Sequence, residues 1–130
     1  MNRILLIEDN QSCASFIKII LEREAMEVTV VPDSEEALRV VRPGEFGLIV
    51  TDLGLPHLGG TNLLERLRAA AQETPILVVS GSYVRPMLED LQAAGATDAM
   101  AKPFHFPEFV RKVREMLGHR SGQPCRLTAA

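Results

Sequence analysis

Five short apolar segments recur along the chain: Ile4 to Ile7, Val28 to Val31, Leu48 to Thr51, Ile76 to Val79 and a weaker Ala99 to Ala101. Their apolar residues run continuously instead of alternating with polar ones. A strand covered on both faces shows that pattern, and such strands belong to parallel sheets flanked by helices. Stretches with helical periodicity separate them, as parallel neighbours require a crossover between them. The alternation predicts one architecture: an α/β, doubly wound, five-stranded parallel sheet flanked by five helices.

The helical stretches carry their own punctuation. The first presents Phe16, Ile17, Ile20 and Leu21 as a stripe, with Lys18, Glu22 and Arg23 on the other side. The second begins at Asp33 or Ser34, where Asp33 and Glu36 form a capping pair, and uses Ala37, Leu38 and Val41 before Pro43 and Gly44 stop it. The third aligns Leu63, Leu64, Leu67 and Ala71 after Gly59 and Gly60. The fourth aligns Leu88, Leu91 and Ala94, with Pro86 tolerable in its first turn and Gly95 as its cap. The fifth begins near Pro107 and repeats Phe109, Val110, Val113, Met116 and Leu117 before Gly118. Residues 1–118 form the expected domain. Residues 119–130 are polar and aperiodic, and read as a tail or the start of a linker.

Composition excludes several classes of function. With 130 residues, 46% of them hydrophobic, the chain can bury a core without a disulfide or metal staple. A net charge of −3, with no basic cluster longer than Arg111, Lys112 and Arg114, gives no footprint for direct nucleic-acid binding. No apolar run approaches the roughly 20 residues of a membrane span. The N-terminus lacks a secretory cleavage site, so a cytoplasmic location is expected. Cys13 and Cys125 have no metal-type spacing and read as a helix-face residue and a free thiol in the tail.

In an open parallel sheet, ligands bind outside the carboxyl ends of the strands. The residues at those positions are Glu8 and Asp9, Asp52, Ser80 and Lys102. Singly each has an ordinary reading: Asp9 as a helix cap, Ser80 as a turn residue, Lys102 as a surface charge. Together they form a chemical set. Carboxylates gathered at one point repel unless a hard cation joins them, and Mg²⁺ takes carboxylate, water and phosphate oxygens. A lysine and a hydroxyl at the same place suit a phosphoryl group. With no Cys, His or glycine-rich loop there, the nucleophile expected is a carboxylate.

Glu8-Asp9, Asp52-Leu53-Gly54-Leu55-Pro56, Ser80 and Lys102-Pro103-Phe104 resemble, in order, the acidic pair, phosphoacceptor loop, Ser/Thr and lysine motifs of response regulator receiver domains. The resemblance covers residues 3–117. It implies the flavodoxin-like strand order 2-1-3-4-5. It further implies that Asp52 accepts a phosphoryl group from a phosphohistidine on a sensor histidine kinase or histidine phosphotransferase. Asp9, Asp52 and the backbone carbonyl of Gly54 would hold Mg²⁺, with Glu8 acting through a water. Lys102 would pair with Asp52 and then with the phosphoryl oxygens. Ser80 would swing towards them, with the N–H groups of Leu53 and Gly81 as further donors. A cis peptide before Pro103 is implied by resemblance alone.

One position departs from the pattern. Receivers usually carry Tyr or Phe three residues before the lysine, and Ala99 stands here. That favours either a small residue packed in a short edge strand or an output by another face. It also motivates an alternative: a pseudo-receiver that binds partners without phosphorylation. Tyr83 and His57 read as an amphipathic contact and an exposed polar residue. A haloacid-dehalogenase type phosphatase is disfavoured because Gly54 stands where its second Asp belongs. Flavin or nucleotide binding is disfavoured by the acidic loop Glu8-Asp9-Asn10-Gln11. The downstream protein or effector domain is not named by the residues, and homodimer formation stays open.

Overall fold

A computed structural model describes residues 2–53, 60–81 and 87–118. The readings made for Gly54, Pro56, His57, Gly59, Tyr83, Pro86, Cys125 and the 119–130 tail lie outside the described residues.

Strands β1 (Arg3–Ile7), β2 (Glu27–Val31), β3 (Leu48–Thr51), β4 (Ile76–Ser80) and β5 (Asp98–Ala101) alternate with helices α1 (Gln11–Arg23), α2 (Ser34–Val40), α3 (Gly60–Ala71), α4 (Leu88–Ala94) and α5 (Phe106–Leu117). The sheet runs β2-β1-β3-β4-β5 and every pairing is parallel. The register sets Ile7 beside Val31 and Thr51, Thr51 beside Val78, and Ser80 beside Ala101, so β1, β2 and β3 end level while β4 and β5 run two residues further.

The continuous apolar runs feed two cores, one per face. Leu5, Ile7, Ile49, Ile76 and Val78 pack with Ala37, Leu63, Leu64, Leu67 and Leu91, under α2, α3 and α4. Ile4, Leu6, Leu48, Val50, Leu77 and Val79 pack with Ile17, Leu21, Phe109, Val113 and Met116, under α1 and α5. Alternate residues of one strand thus serve opposite faces.

Local chemistry ends each helix near its expected place. Asp33 Oδ1 accepts from Glu36 N at 2.9 Å and caps α2, as its spacing predicts. Gly95, at φ +128°, closes α4. The stripe of α1 differs from the expected one: Ala14, Ile17 and Leu21 are buried, whereas Phe16 is 57% exposed. Steps of three and four residues keep one face towards the sheet; Phe16, one residue from Ile17, is turned about 100° away.

Candidate functional site

The strand order reverses about β1, since β2 lies on one side of it and β3 on the other. The links leaving β1 and β3 therefore diverge and open a crevice at the carboxyl edge. Residues from several strand ends meet there.

After β1, Glu8 N donates to Val31 O at 3.1 Å, which seats Glu8 at the edge with only 3% of its side chain exposed. Asp9 follows and is exposed. The cap of α1 is Asn10, whose Oδ1 accepts from Cys13 N at 2.9 Å, so Asp9 is not spent on capping. After β3, Asp52 N donates to Ile7 O at 3.3 Å, and the Thr51 hydroxyl donates to Asp52 O at 3.0 Å. Ser80 ends β4, buried, and its carbonyl accepts from Lys102 N at 3.0 Å. Ser80 and the loop that begins β5's exit are thereby tied to each other.

Lys102 crosses the crevice. Its Nζ donates to Glu8 Oε1 at 2.6 Å and to Asp52 Oδ2 at 3.1 Å. Burial alone would lower its pKa. The hydrogen bonds and charges of Glu8 and Asp52 outweigh that and hold the ammonium well above the usual lysine range. The peptide bond from Lys102 to Pro103 is cis.

Ligand oxygens of Glu8, Asp9 and Asp52 all lie within 4.8 Å of one another. Three hard oxygen donors, one of them exposed, match what Mg²⁺ selects, and no sulfur or imidazole ligand intrudes among the described residues of that cluster. The ammonium of Lys102 balances only part of their charge. A cleft of about 430 Å³ borders Glu8 and Asp9 and continues past Gln11, Ser15 and Lys18 to Val30 and Pro32, giving the acidic pair a path to solvent.

The structure thus brings together Glu8, Asp9, Asp52 and Lys102, with Ser80 at the adjoining strand end. Leu53 and Gly81 follow Asp52 and Ser80 along the chain. Two participants carry no clear sequence signal. Asn10 is one of several polar residues in its loop. Cys13 reads as a helix-face residue, yet its thiol feels both Glu8 and Lys102: burial pushes its pKa up, the Glu8 carboxylate adds to that, and Lys102 opposes it. Ala99 is half-buried beside Val78 and packs against the core under α2, α3 and α4.

A family model described as response regulator receiver domain matches residues 4–114. The chain belongs to that family. The receiver is 34% identical over 120 residues to the cell cycle transcriptional regulator CtrA of Caulobacter vibrioides, an alignment covering 92% of this chain and 52% of that protein. It therefore spans about half the length of the curated relatives it matches. Among solved structures, the receiver domain of the Francisella response regulator 1452 matches with a TM-score of 0.83 and 28% identity, over 91% of this chain and 98% of that one. The receiver domain of the sensor histidine kinase PA1611 from Pseudomonas aeruginosa, which has a magnesium ion coordinated in its active site cleft, matches with a TM-score of 0.81 and 29% identity over the same shares. No helix among the described residues is long and apolar enough to cross a membrane.

Proposed function

We propose that this receiver takes a phosphoryl group from a phosphohistidine onto Asp52 and thereby changes what it binds. The observation that carries the reading is the Lys102 ammonium shared by Asp52 and Glu8, with Asp9 completing a carboxylate cluster within 4.8 Å. A phosphatase would need an acid beside the nucleophile, and Gly54 occupies that sequence position.

An Asp52 carboxylate oxygen attacks phosphorus, the N–P bond of the phosphohistidine breaks, and its electron pair leaves with the imidazole nitrogen. An acyl phosphate results. Lys102 transfers one of its hydrogen bonds from the carboxylate to the new phosphoryl oxygens, and the Ser80 hydroxyl donates to another. Asp9, Asp52 and the Gly54 carbonyl would hold Mg²⁺. Both oxygens of Glu8 already accept hydrogen bonds, from Lys102 and from Asn10 N at 3.2 Å, which suits a contact through water. Bound there, Mg²⁺ neutralises the carboxylates and the incoming phosphoryl oxygens.

The domain is assigned to residues 1–118, with 119–130 as tail or linker start. Its donor is a sensor histidine kinase or histidine phosphotransferase, which sets the reaction in the cytoplasm. Phe16 on α1 and Phe106 at the start of α5 are large apolar side chains more than half exposed, both on elements that leave the site edge, and they offer that donor a surface. Output passes to a separate protein or to an effector domain. Intact-protein mass after incubation with a small phosphodonor and Mg²⁺ tests the reading. One phosphoryl adduct is expected, absent in Asp52→Asn and on chelating the metal; an adduct that persists in Asp52→Asn would overturn it.

A further inference from the structure

Thr51 is a polar residue closing an apolar strand. It ends β3 after Leu48, Ile49 and Val50, lies beside Ile7 of β1 and Val78 of β4, and is 1% exposed. A hydroxyl buried among such neighbours is costly unless a hydrogen bond compensates it. Here the bond is local: Thr51 Oγ1 donates to Asp52 O at 3.0 Å. The hydroxyl is thus satisfied by the main chain of the residue assigned above to the phosphoryl group.

That carbonyl belongs to the peptide unit joining Asp52 to Leu53. The unit is planar and trans, so its C=O and N–H point in opposite directions, and fixing one fixes the other. Side chains alternate across a strand. Thr51 follows the alternation of Ile49, which packs under α2, α3 and α4, whereas Asp52 follows that of Leu48 and Val50, which pack under α1 and α5. A carbonyl drawn to the Thr51 side therefore turns the Leu53 N–H to the side of the Asp52 carboxylate. On its other flank Asp52 N donates to Ile7 O at 3.3 Å. The peptide units before and after Asp52 are thus both tied, one to β1 and one to Thr51.

We propose that Thr51 is a positioning residue for phosphoryl transfer: its buried hydroxyl holds the Asp52–Leu53 peptide so that the Leu53 N–H is aimed in advance at the oxygens of a phosphoryl group on Asp52. This rests on the phosphoryl-acceptor reading above. A donor fixed before the reaction needs no reorganisation as charge shifts onto those oxygens. Thr51 acts only through the backbone, from the face of the strand away from the carboxylate.

Thr51→Val keeps the β-branched shape and removes the hydroxyl; Thr51→Ser keeps the hydroxyl. Intact-protein mass with acetyl phosphate and Mg²⁺ follows uptake on the full chain. Amide NMR with Mg²⁺, with and without beryllium fluoride as phosphoryl mimic, follows Leu53. In the unaltered chain the Leu53 amide proton should shift downfield on loading. Thr51→Val should lose that shift and take up the phosphoryl group at least about tenfold more slowly, and Thr51→Ser should recover both. A merely structural role would follow the lost methyl group and not the hydroxyl, and would leave the Leu53 shift in place. Uptake by Thr51→Val equal to that of the unaltered chain overturns the proposal, as does a serine variant as slow as the valine one. If the valine variant does not fold, the unaltered chain still decides: a Leu53 amide that stays in place while Asp52 and Ser80 respond to loading overturns the positioning role alone. No uptake and no loading by the unaltered chain overturns the phosphoryl-acceptor reading and the positioning role together.

Discussion

The Lys102 ammonium lies nearer to Glu8 than to Asp52, 2.6 Å against 3.1 Å. Glu8 is the more buried of the two carboxylates, with 3% of its side chain exposed against 18% for Asp52. Lys102 is therefore anchored on Glu8 and leans towards Asp52. An anchor of this kind leaves the weaker contact as the one to be exchanged when a phosphoryl group arrives.

Glu8→Gln should lower the Lys102 pKa towards the ordinary lysine range, since it removes one of the two carboxylates that raise it. A folded-state pKa above the unfolded value stabilises fully below the unfolded pKa of about 10.4 and loses that contribution as pH rises through the folded value. Lys102 thus adds no pH dependence to stability near neutrality, and its contribution disappears only on the strongly alkaline side. Side-chain NMR titration of Lys102, run beside denaturant unfolding at several alkaline pH values, checks both statements.

Lys102→Met should bind Mg²⁺ more tightly, by about tenfold or more, because a cation that competes for the Glu8 and Asp52 oxygens is gone. The same variant should lose phosphoryl uptake, since the ammonium that would donate to the transferred group beside Asp52 is gone. Titration calorimetry with Mg²⁺ alongside intact-protein mass separates the two effects. Weaker Mg²⁺ binding would show that the lysine positions the carboxylates instead of competing for them.

Phe109 is fully buried and its ring centroid lies 4.7 Å from that of Phe104, two residues past Lys102. Phe109→Ala should destabilise the fold by about 3–5 kcal/mol. Phe109→Leu should keep the fold yet loosen the loop that carries Lys102, slowing phosphoryl uptake more than it lowers stability. Urea unfolding and uptake rates on the same samples provide the comparison.

Ala25 adopts φ +64° just past the C-cap of α1, a left-handed position where a β-carbon is unfavourable. Ala25→Gly should raise stability by about 0.5–1 kcal/mol, the relief of strain exceeding the entropy that glycine adds to the unfolded chain. A lower urea midpoint would show that the strain is negligible.

The fold was legible because its signal is local. Runs such as Ile4 to Ile7 and Ile76 to Val79 reveal double-sided burial by composition alone, and the strand-end rule then selects Glu8, Asp9, Asp52, Ser80 and Lys102. The face of α1 was not legible. Phe16, Ile17, Ile19 and Ile20 place four apolar residues within five, so periodicity cannot choose among them, and only the sheet beneath selects Ile17. Arg68 was hidden for another reason: its guanidinium donates to Gly95 O and Thr97 Oγ1, 27 and 29 residues away, and nothing local distinguishes it from a solvated charge. Gly95 offered half of that signal, as a helix cap, without showing what it approaches.

The lysine of the site follows β5 directly, and it meets carboxylates 94 and 50 residues earlier in the chain. A growing polypeptide that has completed β1, β3 and β4 already holds its acidic residues but lacks the cation that joins them. The site is in this way assembled only when the fold reaches past β5: a chain cut before Lys102 would keep the carboxylates and lose the ammonium that bridges Glu8 and Asp52.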